Sequence, residues 1–141
     1  MKAVIIADDA PVSERISAIV EAIGYDSIVY RWLLKALDNL EEIAPQLIVI
    51  NTEDYPRHWK TLVQYASTAL QPPQIILYTA GTLSEEERHK ATLLQVTGIV
   101  NAVAGDVEAA FRTLLAAPAA KTMAAVESSA AVPQPQAVSE P

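Results

Sequence analysis

Residues 45–56 read PQLIVINTEDYP. Four apolar residues, Leu47 to Ile50, run without interruption into an amide, Asn51, and two carboxylates, Glu53 and Asp54, follow at once. A continuous apolar run of this length, set between Pro45 and the turn-forming residues beyond Asn51, describes a strand covered on both faces. Such a strand belongs to a parallel sheet with helices above and below it.

Outward from this run the apolar period alternates. AVIIA at 3–7 is a short strand, and Val12, Ile16, Ile19, Val20 and Ile23 then fall at helical spacing after Pro11, with Gly24 as the stop. SIVY at 27–30 is a second strand, followed by Leu33, Leu37, Leu40 and Ile43 on one helical face before Pro45. Beyond LIVI, a stripe of Trp59, Leu62, Val63, Ala66, Ala69 and Leu70 runs to Pro72 and Pro73. IILYT at 75–79 is the fourth strand, and Ser84 with Glu87 makes a capping box that opens an acidic helix. GIVNAV at 98–103 is the fifth strand, with Val107, Ala110, Phe111, Leu114 and Leu115 as the last helical stripe.

Five strands alternating with five helices predict an α/β fold: a doubly wound, five-stranded parallel sheet of flavodoxin-like (βα)5 form over residues 1–116. In such sheets the working site lies outside the carboxyl ends of the central strands. That rule places Asp8, Asp9, Asn51 and Thr79 on one rim.

Composition narrows the function. The chain has 141 residues, 51% of them apolar, and no cysteine, so neither a disulfide framework nor a thiolate zinc site is available. His58 and His89 stand apart from each other, which also argues against zinc. A net charge of −7 repels phosphate backbones and speaks against direct nucleic-acid binding. The uncharged run at 61–84 is broken by Gln64, Gln71, Pro72, Pro73, Gln74 and Gly81, and AVIIA is too short for a signal-peptide core. A cytoplasmic protein without membrane insertion is expected. Residues 117–141, rich in Ala and Pro and without an aromatic, read as a disordered tail or linker.

The segments VIIADDAPVSER, GYDSIVY, APQLIVIN and IILYTA resemble the receiver domain of two-component response regulators, over residues 2 to 116. The resemblance implies an acidic pair at Asp8 and Asp9, a hydroxyl position at Thr79, followed by Ala80, and a phosphoacceptor position that falls on Asn51. The family's lysine on the fifth strand has no match: Asn101 or Ala102 stands there, and no lysine occurs between Lys90 and Lys121. Ile99 replaces the family's usual aromatic. The resemblance also implies a contact face on the fourth helix, fifth strand and fifth helix, here Glu85, Arg88, His89, Ile99, Asn101, Glu108 and Arg112.

The departures have chemical weight of their own. An aspartyl phosphate needs a carboxylate nucleophile, and an amide oxygen is too weak to replace one. Phosphoryl transfer also needs cations around the phosphoryl oxygens. Asp8, Asp9 and the Asn51 carbonyl oxygen offer a corner for weak Mg²⁺, with no cofactor required, but acceptor and ammonium are both missing. The expectation is a degenerate, pseudo-receiver form that is no enzyme and acts through a protein partner or self-association. Alternatives on the same scaffold are a receiver using Asp54 or Glu53 as displaced acceptor, and a small-ligand or nucleotide module. The proline after Asn51 arrives late, as Pro56, before Arg57, His58, Trp59 and Lys60. Tyr30, Arg31, Trp32, Arg57 and Trp59 either form a rim that grips an anion or partner peptide, or Trp32 and Trp59 are helix-start core residues with solvated neighbours. Taken singly, the paired aspartates equally suit a helix cap and Asn51 an ordinary turn.

Overall fold

The computed structural model describes residues 1–116 apart from 82 and 104. Strands β1 (Lys2–Ile6), β2 (Asp26–Tyr30), β3 (Leu47–Asn51), β4 (Gln74–Thr79) and β5 (Gly98–Asn101) alternate with helices α1 (Ala10–Ile23), α2 (Leu33–Ile43), α3 (Trp59–Ala66), α4 (Glu85–Leu93) and α5 (Val107–Ala116). The chain divides into two units, Met1–Phe111 and Arg112–Pro141. In the second, the described residues are 112–116; the tail expected over 117–141 lies outside the described residues.

The sheet is wholly parallel, in the order β2-β1-β3-β4-β5. This is the flavodoxin-like winding, in which the connection reverses direction between β1 and β3 and opens a crevice at their carboxyl ends. β3 is buried at every position, as its apolar run required. One face of the sheet, with Val4, Ile6, Ile48, Ile50, Ile75 and Leu77, packs against Leu33, Ala36 and Leu40 of α2, Leu62, Val63 and Ala66 of α3, and Ala91 of α4. Alternation turns Ile76 and Tyr78 to the other face, where the Tyr78 and Phe111 rings lie 6.4 Å apart.

Local chemistry sets the element ends. Asp9 caps α1 by accepting from the Val12 N–H, and Pro11 sits in the first turn, where its missing N–H costs no bond. Gly24 closes that helix at φ 124°, a conformation that strains any residue with a Cβ. Ser84 accepts from the Glu87 N–H at 3.1 Å, while the Glu87 carboxylate reaches across to Lys60 Nζ at 2.7 Å and bridges α4 to α3.

Two expected elements are shorter than their apolar patterns. α3 stops at Ala66 and leaves Ala69 and Leu70 on the surface, because Ser67 and Thr68 donate their hydroxyls back to the carbonyls of Gln64 and Tyr65 at 2.8 and 2.7 Å. β5 stops at Asn101, whose Oδ1 accepts from the Val103 N–H at 2.9 Å and turns the chain.

The tryptophans part company. Trp59 opens α3 on its apolar face and is fully buried, whereas Trp32 precedes α2 in extended backbone and is 70% exposed. Trp59→Ala should therefore cost about 3–5 kcal/mol and Trp32→Ala no more than about 0.5 kcal/mol, read from urea unfolding midpoints. Equal losses in the two variants would contradict this division.

Candidate functional site

The rim anticipated from the strand ends is assembled around the loop that follows β3. Asn51 ends the strand 2% exposed, and its backbone carbonyl accepts from the N–H groups of Asp54 and Tyr55 at 3.2 and 3.3 Å, making a tight turn. The turn carries the Asp54 carboxylate back over the crevice. There its Oδ2 accepts from the Asp8 N–H at 2.7 Å, the Asp9 N–H at 3.3 Å and Asn51 Nδ2 at 3.0 Å.

These contacts explain why a buried strand ends on an amide. Asn51 must give a hydrogen to Asp54 with one atom and accept the Glu53 N–H, at 3.2 Å, with the other. An amide does both, where an ionised carboxylate can only accept. A carboxylate at position 51 would have no proton to donate and would face Asp54 across the same gap in a place shielded from water.

The neighbouring carboxylate closes the other side of the rim. Glu53 Oε2 accepts from the Thr79 hydroxyl at 3.0 Å, and the same hydroxyl accepts from the Gly81 N–H at 3.2 Å. Asn101 Nδ2 donates to the Gly81 carbonyl at 3.0 Å, and the Ala102 N–H to the Thr79 carbonyl at 2.7 Å, so the ends of β4 and β5 are tied together. Of the two positions at which the resemblance looks for a lysine, 101 presents an amide and 102 a methyl group.

Next to Asp54, Tyr55 donates its hydroxyl to the Arg31 carbonyl. Burial pushes the Tyr55 phenol above its ordinary value of 10.0, and the carboxylates of Asp8 and Asp54 push the same way, against the backbone hydrogen bond at Leu33 and the Arg31 charge. Tyr55 thus keeps its proton at neutral pH and serves as a donor. Arg31 in turn places Nε and Nη2 each 3.1 Å from Asp8 Oδ1. Both partners are exposed, so this pair orients Asp8 more than it stabilises the fold.

The structure brings together Asp8, Asp9, Asn51 and Thr79, and corrects the five-residue rim. Trp59 lies in the core, and the Tyr30 hydroxyl turns to α2, where it accepts from Asn39 Nδ2 at 3.0 Å. Arg57 is exposed on the loop before α3, and Trp32 is exposed beside Arg31. Of the expected contact face, Glu85, Arg88 and His89 are exposed on α4, and Ile99 and Asn101 are half-buried on β5. What sequence reasoning missed is the use of Glu53 and Asp54 as acceptors for the site's own donors; the local signal was their spacing of two and three residues from a strand-ending Asn, which suits a turn that folds back on it.

As arranged, the donor set does not fit a hard cation. Asn51 turns its N–H toward the acidic corner and its oxygen away, and Asp8 Oδ1 is held by Arg31. Among the described residues no group of three or more His, Cys, Asp or Glu side chains could hold a metal ion, and no helix is long and apolar enough to cross a membrane.

Comparison with known proteins bears on this geometry. The family model TP_0454_N, an N-terminal domain, matches residues 1–96. The chain belongs to that family. An uncharacterized protein of Treponema pallidum (strain Nichols) is 53% identical over 68 residues, a match that takes in 46% of this chain and 28% of that protein's length. Solved structures give the fold. A response-regulator signal receiver domain from Bermanella marisrubri superposes with a TM-score of 0.68 at 10% identity, over 82% of this chain and 95% of that one. An orphan response regulator of H. pylori gives 0.67 at 13% identity, over 82% and 94%. A response regulator of Burkholderia pseudomallei with a phosphorylated aspartic acid and a calcium ion gives 0.65 at 17%, over 80% and 65%. The sheet and helices are thus those of the receiver fold.

Removing the Asp54 carboxylate should leave the Asp8 and Asp9 N–H groups and the Asn51 amide without their acceptor. Asp54→Ala is expected to lose roughly 1–3 kcal/mol, and sodium formate should restore part of that loss by entering the vacated place. Thermal melts of parent and variant in formate and in chloride check this; equal formate effects on both proteins would count against the arrangement.

Proposed function

We propose that this chain is a non-catalytic, receiver-like signalling module of the pseudo-receiver kind, which works by binding another protein or by pairing with itself and forms no aspartyl phosphate. The observation that carries the reading is the hydrogen-bonded Asn51–Asp54 pair: the residue at the acceptor position is an amide, and a carboxylate of the same chain lies against it. With Thr79 held by Glu53 and a methyl group at Ala102, a phosphoryl group arriving here would find its hydroxyl partner engaged and no ammonium. The domain boundary near residue 116 and a cytoplasmic setting belong to the same proposal, as does whatever the rest of a longer relative contributes.

The alternative in which Asp54 or Glu53 accepts the phosphoryl group is the natural competitor, and one experiment separates the two. Incubated with acetyl phosphate and Mg²⁺, the protein should gain no phosphoryl mass in intact-protein mass spectrometry. A stoichiometric adduct mapped to Asp54 or Glu53 would replace this reading with the displaced-acceptor one. Asn51→Asp restores a nucleophile but sets it against Asp54 without an ammonium, so that variant should lose about 1–3 kcal/mol at neutral pH and still phosphorylate poorly.

A further inference from the structure

At the end of the sheet remote from Asp54, the carboxyl-terminal turns of α2 and α3 frame a groove of about 570 Å³. That volume falls within the range of sites that receive a side chain cluster or small ligand. Leu40, Ile48, Ala66, Ala69 and Pro73 give it an apolar lining, and Tyr65 and Leu70 stand at it 45% and 102% exposed. Leu70 is there because α3 ends early: the stripe that sequence periodicity assigns to the helix continues past Ala66 onto an open turn.

The charge at this groove has one sign. Of the residues that line it, Glu41 alone is charged. Both framing helices point their carboxyl ends toward it, and neither has a basic residue in its last turn. A helix carboxyl end carries about half a negative charge, so the α2 end adds to Glu41, while at the α3 end the Ser67 and Thr68 hydroxyls already donate to the Gln64 and Tyr65 carbonyls. An apolar floor under an anionic edge is complementary to a segment that carries apolar and basic side chains together.

We propose that this groove is a docking surface for a basic amphipathic helix of a partner protein, its apolar face on Tyr65, Ala69 and Leu70 above the buried floor of Leu40, Ile48 and Ala66, and a lysine or arginine at Glu41 and the α2 carboxyl end. The surface rests on the interaction-module reading above but is separate from the Asn51–Asp54 rim and from the α4–β5 face. Two turns of helix present apolar residues at spacings of three and four, enough to enter such a groove.

The test uses a synthetic amphipathic peptide of leucine and lysine, about 14 residues long, and its leucine–glutamate counterpart, titrated into the ¹⁵N-labelled full chain. The leucine–lysine peptide should bind saturably, with amide shifts concentrated at residues 40–45 and 65–73, and the leucine–glutamate peptide should not bind. Leu70→Asp and Glu41→Lys alter exposed side chains, so both should keep the parent's circular dichroism and weaken binding by about tenfold or more. Absence of binding, shifts centred elsewhere, or affinity unchanged in Leu70→Asp would overturn the proposal. Saturable binding mapped to α4 and β5 would overturn this surface while leaving the interaction-module reading in place, and an aspartyl phosphate would overturn that reading without moving the peptide's footprint.

Discussion

The hydrogen bonds that converge on Asp54 Oδ2 hold together parts of the chain that sequence keeps far apart. They join the end of β1, the end of β3 and the loop beyond it. Other features hang on that convergence. With Asp54 inside the crevice, Glu53 points to β4 and meets Thr79, and Tyr55 points to β2 and meets the Arg31 carbonyl. Helix α2 begins at Trp32, a residue with no side-chain acceptor for the first turn, and the Tyr55 phenol lies at that helix start instead.

Electrostatics sharpens the consequence for chemistry. Asp8, Asp9, Glu53 and Asp54 gather at this rim with Arg31 as the cation bonded to one of them. Such a place is stable because its carboxylates accept from N–H and hydroxyl donors rather than facing each other. A phosphate dianion brought to it would add charge of the same sign. Fold alone does not decide what chemistry such an end carries.

Much of the architecture was readable from local pattern. The apolar runs at 3–7 and 47–50 could only be central strands, and the rim followed from topology once five strands were counted. Asn51 and the missing lysine were legible as departures only against the pattern that the resemblance implies. Three things were not. The early end of α3 depends on hydroxyls at Ser67 and Thr68 competing for helix carbonyls, which an apolar stripe does not register. Trp32 and Trp59 both stand at helix starts, and only the extended backbone at Trp32 turns one of them to water. The partner of Asp54 lies 46 residues away at Asp8, a distance over which spacing carries no information.

The Asn51–Asp54 pair also has an evolutionary meaning. A carboxylate at 51 would fit this site only beside a neutral or shortened side chain at 54. The changes are coupled: the first alone opposes two carboxylates, and the second alone strands three donors. Each single step lowers stability, whereas the two together remove the opposition. Positions 51 and 54 therefore behave as one unit, and a sequence that alters either is expected to alter the other with it.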